Sequence, residues 1–111
     1  MEITSQQYKH CDLLSIKGKV DSFTAPDLIK AIEALNSENR YKIILDLGEL
    51  DYMSSAGFRA LLLGQRNCKR FNRGEIVLAK VPKKVMDALE LTGFKPLFKL
   101  FDEIAPAVGN F

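Results

Sequence analysis

The chain has 111 residues, 47% of them apolar, and a formal net charge of +2. That length holds one core, so residues 1–111 are expected to form a single domain, and the apolar share excludes a globally disordered chain. The charge is too slight to point to nucleic acid; with no bilayer-length apolar run and no signal-peptide pattern in residues 1–5, a cytoplasmic protein without membrane insertion is expected.

In chain order, residues 3–7 read as a short edge strand and residues 8–12 as a turn. Residues 13–20 alternate, with Leu14, Ile16 and Val20 on one face and Ser15, Lys17 and Lys19 on the other. That pattern predicts a half-buried strand folded back on the first. Residues 21–27 read as a helix entry: Thr24 and Asp27 resemble a capping box, and Pro26 sits in the first turn, where a missing N–H does no harm. The helix runs to about residue 35 on an apolar stripe of Leu28, Ile32 and Leu35. Residues 41–47 form the most apolar strand, so a right-handed crossover and parallel pairing are expected. A second helix spans residues 59–73 and is closed by Gly74 as a left-handed cap. A strand over residues 75–81, a helix over residues 83–91, a short strand over residues 97–101 and a last helical turn over residues 102–108 complete the order. Residues 109–111 are expected to fray.

This is an α/β pattern with a mixed, mostly parallel sheet of about five strands. Polar strand positions such as Ser15, Lys17, Asp46 and Lys80 predict helices mainly on one face. Cys11 and Cys68 lack metal-ligand spacing and form no disulfide framework, so both are expected reduced and half-buried; no metal site and no cofactor are expected.

The chemistry concentrates where the central strand meets the second helix, at Tyr52-Met53-Ser54-Ser55-Ala56-Gly57-Phe58. Serine at such a junction is a preferred helix cap, and a helix start favours added negative charge. Two readings follow from the residues: a plain cap, or exposed hydroxyls able to carry a phosphate. A serine nucleophile is disfavoured, because Gly-x-Ser-x-Gly is absent and the only histidine, His10, falls in a predicted turn. On the second helix, Ser55, Arg59, Arg66, Arg70 and Arg73 project to one side at 3.6-residue spacing, with Ala60 and Leu63 as apolar neighbours. That stripe is either a solvated face or a docking surface for an acidic partner.

The order of elements and three segments resemble the STAS domain, and more narrowly the bacterial anti-sigma factor antagonists. The segments are Gly18-Lys19-Val20-Asp21 through Leu28, Leu45-Asp46-Leu47 through Phe58, and Leu89-Glu90-Leu91-Thr92-Gly93-Phe94 with Leu97-Phe98. The resemblance implies a phosphoprotein without enzymatic activity. It would bind an anti-sigma factor serine kinase when unphosphorylated and release it when phosphorylated. A serine phosphatase would reset this partner switching, which regulates transcription through signal transduction. The family pattern Asp-Ser-x-Gly lays Ser54 on the Asp position and Ser55 on the acceptor, with Ser54 the second choice. Asp21, Ser54, Ser55, Gly57, Phe58, Arg59 and Arg66 are then the expected partner-binding residues. The resemblance is compatible with a monomer or weak dimer. The alternative it leaves open is a STAS scaffold subunit of a larger regulatory or transport complex.

Overall fold

The computed structural model describes residues 1–111. A hairpin of β1 (Glu2–Gln7) and β2 (Asp12–Val20) leads into α1 (Ala25–Ser37). β3 (Lys42–Met53), α2 (Ser55–Lys69), β4 (Glu75–Ala79), α3 (Lys83–Thr92), β5 (Leu100–Phe101) and α4 (Ile104–Gly109) follow. The sheet runs in the order β1-β2-β3-β4-β5, with β1 antiparallel and all other pairs parallel.

Alternation along the strands splits the core into two layers. Leu14, Ile16, Ile43, Leu45, Ile76 and Leu78 point to one face. There they meet Leu28 and Ile32 of α1, Leu61 of α2 and Leu89 of α3. Each such side chain, once fully buried, contributes about 1.5–3 kcal/mol. The other face holds a smaller layer, Leu13, Ile44, Val77 and Ala79, covered by Ala107 of α4. Beyond α4 that face is open, a polar groove of about 490 Å³ lined by Thr4, Ser15, Lys17, Asp46, Glu49 and Lys80. Helices therefore cover one face from β2 to β4 and the other only in part.

Several boundaries differ from the sequence reading for identifiable reasons. The central strand continues to Met53 instead of stopping at residue 47, because two register shifts against β2 let both strands run on together to Val20 and Met53. Such bulges add a residue to one strand and increase its twist. α2 starts at Ser55 and ends at Lys69, followed by a single 3-10 turn, Arg70–Asn72. Gly74 is not the left-handed cap: Phe71 (φ 60°) and Asn72 (φ 55°) take that conformation. Glycine is required at position 74 for another reason, since a Cβ there would lie 2.4 Å from the carbonyl oxygen of Tyr41. β5 has two residues rather than five. The chain end does not fray, because Phe111 packs on the smaller core layer.

A buried glutamine closes the β5 side of the sheet. Gln65 is 5% exposed. Its amide donates to the carbonyls of Ile76 (3.0 Å) and Leu97 (2.7 Å) and accepts from the Ile76 N–H (2.6 Å). The side chain thus serves as a strand where β5 is too short to reach. At the same end of the strands, on the β2 side, buried Asp12 pairs with Arg40, whose guanidinium also donates to the carbonyls of Tyr8 (3.0 Å) and Cys11 (3.3 Å).

Candidate functional site

β3 hands over to α2 through Ser54 alone. The Ser54 N–H donates to the Val20 carbonyl (2.8 Å), so the junction is tied to the end of β2 and to the turn that follows it. Ser54 sits at the cap position in extended conformation (φ −81°, ψ 175°), but its hydroxyl does not cap the helix. The Ser54 Oγ is instead sealed from solvent with no hydrogen-bond partner. The expectation of two exposed hydroxyls therefore holds for Ser55 and not for Ser54.

Ser55 is the first residue of α2 and is exposed. The Phe58 N–H donates to the Ser54 carbonyl (3.1 Å), while no side chain caps the N–H groups ahead of it. These free donors and the helix dipole make the surroundings of Ser55 favourable to an anion. Gly57 allows the first turn to pack tightly: a Cβ there would lie 2.5 Å from Met53 Cγ and 2.9 Å from Val20 Cγ1.

Arg59, Leu63 and Arg66 share the exposed side of α2 with Ser55. Neither Arg59 nor Arg66 belongs to any ion pair of the chain. Arg73 leaves the stripe. Its guanidinium stacks 3.9 Å from the Tyr41 ring centroid and donates to Tyr41 Oη (3.0 Å) and the Asn67 carbonyl (2.6 Å). Ala60 is buried and adds nothing to the surface. Gly57 and Phe58, expected at the partner surface, are buried too: packing against β2 and β3 takes up the first turn on that side. Phe58 keeps only an edge at a groove of about 560 Å³ between the end of β3 and α3, beside Tyr52, Met53, Lys84 and Val85.

Asp21 is held by a reciprocal box with Thr24, not by the expected Thr24–Asp27 pair. The Asp21 N–H donates to Thr24 Oγ1 (2.8 Å), and Asp21 Oδ1 accepts from the N–H groups of Thr24 (3.1 Å) and Phe23 (2.9 Å). The helical bonding already begins here, because the Ala25 N–H donates to the Asp21 carbonyl (2.8 Å). The Thr24 bond, aided by Phe23, holds the Asp21 carboxyl below the usual carboxylate range. This turn also projects Phe23, which is 90% exposed. The sequence reading missed Phe23; the available signal was an aromatic residue outside the apolar stripe of α1.

No group of carboxylates, histidines and cysteines is arranged to hold a metal ion. His10 is exposed in the β1–β2 turn, at the far end of β2 from Ser54. At about 3.3 Å per residue, the strand separates them by roughly 26 Å, so no Ser-His pair forms. Both cysteines are free and fully buried, more deeply than expected.

Comparison with known proteins gives a consistent answer. The STAS domain family profile matches residues 2–107. BtrV of Bordetella bronchiseptica, assigned as an anti-sigma factor antagonist, is 30% identical over 111 residues, spanning all of this chain and 95% of the relative. The crystal structure of an anti-sigma factor antagonist from Mycobacterium paratuberculosis superposes with a TM-score of 0.87 at 20% identity, covering 98% of this chain and 92% of the other. The Bacillus cell fate determinant SpoIIAA in its phosphorylated form gives a TM-score of 0.78 at 14% identity, covering 98% of each chain.

Proposed function

The chain belongs to the STAS domain family, and from that premise we propose that it is an anti-sigma factor antagonist switched by phosphorylation of Ser55. It binds an anti-sigma factor serine kinase in the cytoplasm, performs no catalysis itself, and is reset by a serine phosphatase. The observation that carries this reading is the exposed Ser55 at the uncapped start of α2, on the same face as the unpaired Arg59 and Arg66. The sealed oxygen of Ser54 argues for Ser55 as the acceptor. The rigid turn of Asp21 and Phe23, tied to the same junction through Val20, extends the partner surface.

The switch needs no refolding. A phosphate adds about −1.5 to −2 charges, and free N–H groups receive it without strain inside the chain. Pressed against a partner without a matching cation, the same charge is costly. A loss of about 3 kcal/mol lowers affinity by roughly a hundredfold.

Two measurements test this. Peptide mapping after incubation with the cell's own serine kinase and ATP should place the phosphate on Ser55, and Ser55→Ala should abolish it. Ser55→Asp should weaken kinase binding by tenfold or more, as expected for a buried uncompensated charge. Wild-type affinity in Ser55→Asp, together with phosphate on another residue, would overturn the proposal. A stable large assembly, rather than exchange with one kinase, would favour the scaffold alternative.

A further inference from the structure

The two borders of the sheet are finished differently. On the β5 side the outermost strand is two residues long, and Gln65 occupies the backbone groups of Ile76. On the β1 side, six residues pair with β2 in unbroken register and nothing pairs with their outer row. Apart from half-buried Ile3, all of β1 is exposed. Natural edges are commonly protected by lysine, proline, a bulge or a covering loop. Glu2-Ile3-Thr4-Ser5-Gln6-Gln7 has no lysine, no proline and no bulge.

We propose that β1 pairs antiparallel with β1 of a second copy of this chain, about a two-fold axis at Ser5, joining the two sheets into one. Such an axis stands normal to the sheet and keeps both helix layers on the same side. Residues facing each other must then share a sheet face, so Ser5 meets Ser5, Ile3 meets Gln7 and Thr4 meets Gln6. No two like charges oppose each other.

The helix layer fits the same axis. A groove of about 500 Å³ lies between β1 and α1, lined by Ile3, Ser5, Ala31, Ala34 and Leu35, with Lys30 and Glu38 among its polar border. Because β1 and α1 both run antiparallel to β2, the symmetry sets the two α1 helices side by side and antiparallel. Lys30 and Ala34 lie one turn apart on the bordering side of α1, and Glu38, the C-cap residue, borders the same groove at the helix end. With the axis at Ala34, Lys30 of each copy faces Glu38 of the other across the smallest side chain. Within one chain neither Lys30 nor Glu38 has an ion-pair partner. Ile3, half-buried in the single chain, becomes covered. The pairing uses the border remote from β4 and leaves the exposed side of α2 free in both copies.

Sedimentation equilibrium of the full chain tests this without any other protein. Wild type should show a concentration-dependent approach from 12.5 kDa to twice that mass, with β1 amides exchanging more slowly as concentration rises. Ser5→Lys sets two lysines across the axis and should weaken the dimer by about tenfold or more, with unchanged circular dichroism, since Ser5 is exposed. Lys30→Glu should weaken it by several-fold, and Lys30→Glu combined with Glu38→Lys should return it to within about threefold of wild type. A mass that stays at 12.5 kDa up to about 1 mM, or a dimer indifferent to Ser5→Lys and to the charge exchange, overturns the proposal.

Discussion

Ser54 and Ser55 are neighbours of the same type, yet the strand-to-helix turn sends one hydroxyl inward and the other outward. Because the Ser54 oxygen has no partner, removing it costs little: Ser54→Ala should shift stability by less than about 1 kcal/mol in urea unfolding. Arg59 and Arg66 have no internal role to lose. Reversing both charges should leave the melting temperature unchanged, while slowing association with the proposed kinase partner and flattening its salt dependence. Asp21 is predicted to act through pH. Its folded pKa lies below the unfolded one, so its contribution to stability is present above the ordinary carboxylate pKa and fades as pH falls through the folded value. Thermal melts of wild type and Asp21→Ala should therefore differ near neutrality and converge as the solution is acidified below about pH 4. At this scale the sequence displayed Ser55 and the arginines through helical spacing. It marked Phe23 only faintly, as an aromatic residue outside the apolar stripe of α1 whose exposure depends on the Asp21–Thr24 box, and gave no sign of the diversion of Arg73 onto Tyr41.

Among the elements, α2 does the most positioning, and close approach decides where it can sit. Gly57 and Gly74 bracket it, each admitting a neighbour that a methyl group would strike. Gly74→Ala meets rigid backbone at Tyr41 and should destabilise by about 1–3 kcal/mol, read as a lowered midpoint at constant slope in denaturant. Gln65 is the other structural dependence. Gln65→Leu keeps the volume but orphans the Ile76 N–H, and should cost about 1–3 kcal/mol while loosening β4 and the 3-10 turn Lys95–Leu97 in hydrogen exchange. Element order and type were legible because the apolar periods of strands and helices are distinct. The ends were not. The continuation of β3 to Met53 arises from paired bulges with β2, a tertiary effect with no local signature. The Asp21–Thr24 box lay one turn ahead of the residues whose spacing suggested a cap.

On the scale of the whole molecule, one sheet separates two unequal cores, and each holds one buried thiol: Cys68 in the larger, Cys11 in the smaller. Burial raises the pKa of both thiols, with Asp12 adding to the effect at Cys11. A raised thiol pKa contributes stability below the unfolded value, and that contribution is lost as pH rises through the folded one. Native protein at neutral pH should resist alkylation at both cysteines, and both should react together on global unfolding. The split into a covered and a part-covered face was readable from the polar positions of the strands, since Ser15, Lys17, Asp46 and Lys80 all fall on the open side. The role of Gln65 was hidden, because one polar residue on an amphipathic helix looks like any solvated position. Yet that amide sets an upper limit on growth. With Gln65 holding the Ile76 end of β4 and only a two-residue strand beyond it, that border offers too short a row for a further copy, so growth through β1 closes into pairs and crowding the protein should yield a plateau in size instead of fibres.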